Sequence, residues 1–433
     1  MKKHRINIIT LGCSKNIVDS EYLMSQLDKN GFEVFYDSPE GADTVIINTC
    51  GFIGDAKEES INTILQFAEL RTRGKIQNLF VMGCLSERYR DELITELPEV
   101  DEFFGVRNTA DIVEKLGGQY IENDPGRFLS TPSHYAYLKI SEGCNRKCGF
   151  CAIPLIRGEH DSKPIETLTE ESRLLAANGV KELIVIAQDT TYYGVDLYGR
   201  RRLADLLKEL CRIDGIEWIR LHYAYPSGFP DDVINVMAEE PKICKYLDIP
   251  FQHISDSQLK AMKRGNTKEE TYELIRKLKT KIPDIAIRTT LLTGYPGEDE
   301  EDFSELLEFV EKMKFERLGV FPYSEEEGTY SANNLTDNIP YEIKQYRVDK
   351  IMSLQNNISL KKNVNMIGSI QRIIIDREEG GYFVGRTQYD SPEVDQEVLV
   401  KSAKNLIPGM FLDVKITSAD DYDLYAEVVQ GPL

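Results

Sequence analysis

The stretch Tyr135-Ala136-Tyr137-Leu138-Lys139-Ile140-Ser141-Glu142-Gly143-Cys144-Asn145-Arg146-Lys147-Cys148-Gly149-Phe150-Cys151 joins an apolar, aromatic run to a loop that carries three cysteines. Residues 135–141 read as a strand. Five similar runs follow, at 182–188, 218–225, 246–251, 286–293 and 317–323, each succeeded by a helical pattern. Six βα units in sequence predict an open (β/α)₆ partial TIM barrel, two units short of the closed (β/α)₈ form. The opening would suit a large substrate whose reactive residue must reach the interior. The cysteine loop leaves the first strand at its carboxyl end, the face on which such barrels build their active sites.

Upstream, residues 5–118 alternate short apolar runs (5–11, 44–48, 79–82) with amphipathic stretches such as 20–30 and 55–70. That pattern predicts a doubly wound parallel α/β domain. Turn-forming residues at 123–126 and 130–133 mark a linker. Downstream, 341–363 is polar and helical. Five short runs then follow, at 369–375, 382–387, 397–401, 410–416 and 424–429, and predict a small five-stranded antiparallel β-barrel. The expected domains are 1–122, 133–363 and 364–433.

A chain of 433 residues, 41% hydrophobic and 29% charged, has the composition of a folded globular protein and not of a disordered or fibrous one. It offers no apolar run of membrane-spanning length, and its opening apolar stretch is too short for a signal peptide, so a cytosolic enzyme with no membrane partner is expected. A net charge of −20 argues against non-specific nucleic-acid binding. Eight cysteines in a reducing compartment point to metal ligands or free thiols.

Random placement would give the spacing of Cys144, Cys148 and Cys151 roughly three times in a thousand. Three thiolates on one loop can ligate three irons of a four-iron cluster and leave the fourth open to a substrate or cofactor. Zinc is the alternative, but a structural zinc site wants four ligands and the loop holds no fourth Cys or His. Cys13, Cys50 and Cys84 form a second set, each directly after a predicted strand. In a parallel sheet these ends converge on one crevice, which allows a second three-thiolate cluster as well as the plainer reading of buried thiols. Gly12, Gly51 and Gly83 would let backbone approach such a cluster closely. Cys211 and Cys244 have no ligand-like neighbours and receive no role.

The spacing of Cys144, Cys148 and Cys151, with Phe150 before the last, resembles the signature of the radical S-adenosylmethionine superfamily. The resemblance implies that S-adenosylmethionine binds the open iron and is cleaved to a 5′-deoxyadenosyl radical, which can take hydrogen from an unactivated carbon. Two cysteine triads ahead of a small β-barrel are similar to the methylthiotransferase family: an amino-terminal domain whose cluster, here on Cys13, Cys50 and Cys84, holds the sulfur to be transferred, a radical core, and a TRAM domain. The resemblance implies two 4Fe-4S clusters and S-adenosylmethionine as cofactors, and a one-electron donor such as flavodoxin or ferredoxin as a partner.

That family acts on transfer RNA bases or on an aspartate of ribosomal protein S twelve. Leu11-Gly12-Cys13-Ser14-Lys15-Asn16, Ala187-Gln188-Asp189-Thr190-Thr191, Val384-Gly385-Arg386-Thr387 and Ser391-Pro392-Glu393-Val394-Asp395 resemble the ribosomal-protein branch. Charge agrees: residues 367–433 carry six Lys and Arg against twelve Asp and Glu, which would repel RNA and suit a basic ribosomal protein. A solvated acidic face is the plainer reading of the same count. By strand-end position and resemblance, Gln188, Gln252, His253, Arg288, Gly294 and Gly297 are candidates for binding the cofactor, although a tight turn explains Gly294 and Gly297 equally well. Where the family often has Ser-Arg, this chain has Ser162-Lys163, and Lys lacks the planar fork of Arg. Two rivals stay open at this point: a transfer RNA methylthiotransferase, and a non-catalytic iron-sulfur protein that docks on the ribosome.

Overall fold

The computed structural model describes residues 4–38 and 41–429. Its first sheet has five parallel strands, β1 (Arg5–Thr10), β2 (Glu33–Tyr36), β3 (Thr44–Thr49), β4 (Asn78–Gly83) and β5 (Glu102–Phe103), in the order β2-β1-β3-β4-β5. Alternate residues face opposite ways. Ile6, Ile8 and Ile46 pack with Leu23 and Leu27, whereas Val45, Ile47 and Val81 pack with Ile64 and Ala68. With helices on both faces, every residue of β3 is buried. The sequence reading lacks β2 and β5. The first has four residues and no fully buried one, and the second is only two residues long, so neither gives a strand-length apolar signal.

The core sheet is parallel and open. After β6 (Tyr135–Lys139), a two-residue antiparallel pair, β7 (Ser141–Glu142) and β8 (Asp161–Ser162), clasps the base of the cysteine loop. Then follow β9 (Glu182–Ile186), β10 (Trp218–Leu221), β11 (Ile243–Asp248), β12 (Ala286–Thr293) and β13 (Arg317–Pro322), each beside its predecessor. The helices behind the sheet start on good caps where the chain needs sharp entry: Thr267 and Asp299 each form a capping box.

Both free edges are covered by other parts of the chain. Helix Tyr341–Asn365, polar at first reading, buries a stripe of Lys344, Val348, Ile351, Gln355 and Ile358 and packs against β13. Helix Ser14–Lys29 packs against β6, with Val18 among Tyr135, Tyr137, Ile184 and Ile186.

The last five strands, β14 (Ile370–Glu379), β15 (Tyr382–Thr387), β16 (Val398–Lys401), β17 (Phe411–Ala419) and β18 (Leu424–Val428), close into a barrel in the order β14-β15-β16-β18-β17. It is mixed and not wholly antiparallel: β16 and β18 pair in parallel. β17 crosses to pair with β14, so β18, returning antiparallel to β17, runs in the same direction as β16.

The link between β15 and β16 reaches the inner side of the open sheet. Glu393 accepts hydrogen bonds from the hydroxyls of Tyr135 (3.0 Å) and Tyr137 (3.4 Å), Asp395 accepts one from Tyr246 (2.7 Å), and Asp390 pairs with Arg317. Below them, buried Glu182 lies between Arg220 and Arg386, 2.8 Å from each. Trp218, Cys244, Tyr246 and Ala286 pack on Ile374. Tyr135, Glu182, Trp218, Ala286 and Arg317 are the first residues of their strands, so these contacts cover the amino-terminal end of the open sheet, opposite the cysteine loop. Asp376, Asp390, Glu393 and Asp395 are engaged in these contacts, so the barrel's outward acidity rests on residues such as Glu378, Glu379, Asp413 and Glu427. Among the described residues no helix is long and apolar enough to cross a membrane.

Candidate active site

Because β1, β3 and β4 are neighbours, their carboxyl ends deliver Cys13, Cys50 and Cys84 to one edge. Asn16 locks two of the loops by donating its amide to the carbonyls of Leu11 (2.8 Å) and Thr49 (3.1 Å). Gly12 and Gly83 have φ of +91° and +99°, conformations that L side chains rarely adopt. A Cβ on Gly12 would stand 2.7 Å from Cys50 Cβ, and one on Gly51 2.6 Å from the Leu85 backbone. A Cβ on Gly83 would meet Asn48 and Thr49. These glycines thus bring protein segments together, which in turn gathers the cysteines. The sequence reading had assigned them to close approach of a cluster.

The cysteine loop of the core faces this edge. Gly149 donates its N–H to the Met262 carbonyl at 2.8 Å, and Arg146 donates Nε to Asp189 at 2.7 Å with its guanidinium over the Tyr225 ring. Cys13, Cys50, Cys84, Cys144, Cys148 and Cys151 all line one cavity of about 350 Å³. Cysteines 60 to 138 positions apart in sequence, from two domains, have become walls of a single chamber.

Of the other candidates, Gln188, Gln252 and Arg288 line the same cavity. His253, Gly294 and Gly297 do not. His253 is fully buried, its Nδ1 accepting from the Ser255 N–H at 3.0 Å, and burial pushes its pKa down to about 4. Its Nε2 is 3.9 Å from Glu298, whose carboxylate accepts from the Gly294 N–H (2.6 Å) and from Arg347 (2.9 Å). Burial lifts Glu298 to about 7, against the pull of Arg347. A Cβ on Gly294 would strike the Lys344 side chain, whereas Gly297 has open space around it. Lys163 donates to the Tyr22 hydroxyl at 2.7 Å and faces Glu171 at 3.5 Å, at the seam between the first sheet and the core.

Sequence reasoning missed Arg157 and Arg264, both buried and both lining the cavity. Arg157 donates Nε to Cys84 Sγ at 3.4 Å, and Arg264 donates Nη1 to Cys148 Sγ at 3.3 Å. The one available signal was Arg157 standing six residues after Cys151; nothing marked Arg264.

The donor set fits two iron-sulfur clusters. All the thiols are free. Burial pushes Cys84 and Cys144 up to about 11 and Cys151 to about 12, so an incoming cation must displace protons. Each triad supplies three thiols and so can give one thiolate to each of three irons, whereas a closed structural zinc site takes four ligands. Gln188 Oε1, Arg146 Nη2 and Arg264 Nε are buried without partners on the cavity wall, where a ligand would complete them. A second cavity of about 660 Å³ adjoins the first through Phe52, Phe150, Gln252 and Thr290, and Leu292, Phe321 and Tyr323 add apolar surface to it.

Together, a partial barrel with its cysteine loop, a second cysteine edge facing it and a terminal β-barrel define a radical S-adenosylmethionine enzyme with two cluster sites. The family model for the radical SAM superfamily matches residues 138–310, that for uncharacterized protein family UPF0004 residues 5–105, and that for the TRAM domain residues 367–429. The ribosomal protein uS12 methylthiotransferase RimO of Bacteroides thetaiotaomicron is 55% identical over 433 residues, covering 99% of each chain. RimO of Christiangramia forsetii is 55% identical over 429 residues, covering 99% of this chain and 95% of its own. The chain belongs to the RimO family of methylthiotransferases. Among solved structures, the radical S-adenosylmethionine methyltransferase TsrM from Kitasatospora setae, with cobalamin and a 4Fe-4S cluster bound, aligns with a TM-score of 0.56 at 14% identity, covering 76% of this chain and 77% of its own. The cobalamin-dependent radical enzyme OxsB aligns at 0.54 and 12%, covering 81% of this chain and 56% of its own. At such identities these two likenesses concern the fold alone.

Proposed function

We propose that this chain methylthiolates the β-carbon of an aspartate in ribosomal protein uS12, in the cytosol, with electrons from a carrier such as flavodoxin or ferredoxin. The observation that carries the chemistry is the single cavity shared by both cysteine triads. The substrate rests on the full-length likeness to proteins named for acting on uS12. When bound, the clusters and S-adenosylmethionine supply an electron, a carbon radical able to take hydrogen from an unactivated carbon, and a methylated sulfur.

The chain's own residues then hold and place the reactants. Cys144, Cys148 and Cys151 would hold one cluster and Cys13, Cys50 and Cys84 the other. Gln188, Gln252 and Arg288 are positioned to bind the polar groups of S-adenosylmethionine beside the first. Phe150, Leu292, Phe321 and Tyr323 offer the apolar walls that its adenosine end needs. His253, Gly294 and Gly297, one layer back, would shape that pocket by way of Glu298. Arg288 is itself held by Asp248 (3.0 Å) and by Asp395 of the β-barrel (3.4 Å). The domain limits 1–122, 133–363 and 364–433 belong to the same reading.

The test is anaerobic. With both clusters reconstituted, S-adenosylmethionine, sulfide and a reductant are added, and purified uS12 and unmodified transfer RNA are offered in parallel. A gain of about 46 mass units, methylthio replacing hydrogen, is expected on the protein. The same gain on RNA alone would replace this reading with the transfer RNA one, and intact S-adenosylmethionine would favour the non-catalytic docking protein.

A further inference from the structure

A buried guanidinium without a carboxylate is costly and needs an anion nearby. Arg264 is 3% exposed, and among the described residues it forms no ion pair with Asp or Glu. Its Nη2 donates to the Pro250 carbonyl, its Nε has no partner, and its plane stacks over the Tyr225 ring with 4.4 Å from Cζ to the centroid. The group that can carry negative charge within reach is Cys148, 3.3 Å from Nη1, and the Tyr225 hydroxyl lies 3.5 Å from the same sulfur.

Arg157 presents the contrasting case. It touches Cys84 but also pairs with Asp19 at 3.0 Å and Glu142 at 2.9 Å, so its charge is already cancelled. The two cluster sites therefore differ in electrostatics: one arginine is neutralised by carboxylates, the other is left to the thiolate.

We propose that Arg264 is the counter-ion of the Cys148 thiolate and raises the readiness of the core's cluster to accept an electron, acting as a positioning and charge-balancing residue. The inference rests on the reading of Cys144, Cys148 and Cys151 as cluster ligands. Positive charge and hydrogen bonds at a ligating sulfur stabilise the reduced cluster, whose added electron makes it more negative. One electron passes from the donor to the cluster, and no protein bond forms or breaks.

The test uses the full chain with Cys13, Cys50 and Cys84 replaced by Ala, so that one cluster remains, titrated against dithionite without S-adenosylmethionine and read by electron paramagnetic resonance. Arg264→Met is expected to lower the ratio of reduced to oxidised cluster at fixed potential about tenfold, equivalent to about 59 mV for one electron. Arg264→Lys, which keeps the charge, should stay within threefold of the parent, and Arg157→Leu should not move this signal. An unshifted midpoint in Arg264→Met with normal iron content, or an equal fall in the Lys variant, overturns the proposal. If Arg264→Met loads no iron, the difference between Arg264→Gln and Arg264→Lys is read by the same criteria. A parent that holds no cluster overturns the ligand reading itself, so the two failures are distinguishable.

Discussion

Arg157, from the core, donates a hydrogen bond to the sulfur of Cys84, from the first sheet, and so ties the two halves of the cavity at the cysteine itself. The same guanidinium holds Asp19 and Glu142, which also share Lys139, and donates to Asn16 at 2.5 Å. Replacing Arg157 with Leu would leave two largely buried carboxylates with Lys139 as their one shared cation, a loss of about 3–5 kcal/mol. Denaturant unfolding should show that loss, and the cluster on Cys84 should become harder to reduce. Wild-type stability in the variant would mean that the seam is held by packing alone.

The two triads should separate by function. With Cys148→Ala, deoxyadenosine formation from S-adenosylmethionine is expected to fall to background. With Cys50→Ala it should persist while methylthiolated product disappears. Product from the Cys50 variant, measured by mass, would show that the triads do not divide the work.

The β-barrel is predicted to be part of the core's stability. Removing Glu182 strands buried Arg220 and leaves buried Arg386 with Asp376 as its remaining carboxylate, and Glu182→Ala should cost about 3–5 kcal/mol. Limited proteolysis should then cut within 387–397 or 402–410 faster than in the parent. Unchanged cleavage would place the strength of this interface in the apolar contacts of Trp218 and Ile374.

Glu298 predicts a pH dependence. Its carboxyl is raised to about 7 in the folded chain, against an ordinary value near 4.5, so the folded state keeps this proton longer than the unfolded one. Stability from this group therefore falls as pH rises from about 4.5 to about 7 and is level above, a change on the order of 3 kcal/mol. Glu298→Gln should flatten that part of the stability profile. Parallel slopes for parent and variant would show that Glu298 titrates normally.

How much of this was legible beforehand follows from distance along the chain. Cys144, Cys148 and Cys151 are neighbours in sequence, so their chemistry could be read locally, and β12 and β15 were read to the residue because their apolar runs end at clear turns. Cys13, Cys50 and Cys84 were also legible, because parallel strands present their carboxyl ends on one side whatever the details of packing. The edge strands β2 and β5 and the parallel pairing of β16 with β18 were not, since pairing partners far along the chain decide them.

The sequence alone determined the three-part order, the two cysteine triads and the kind of chemistry they support. Only the tertiary structure decided that both triads share one chamber, that four acids of the β-barrel are engaged with the rest of the chain, and that Arg157 and Arg264 each reach a cysteine sulfur. The physical reason is burial: a solvated arginine and a buried one are the same letter, and what separates them is the set of distant elements that close over the side chain and remove its water.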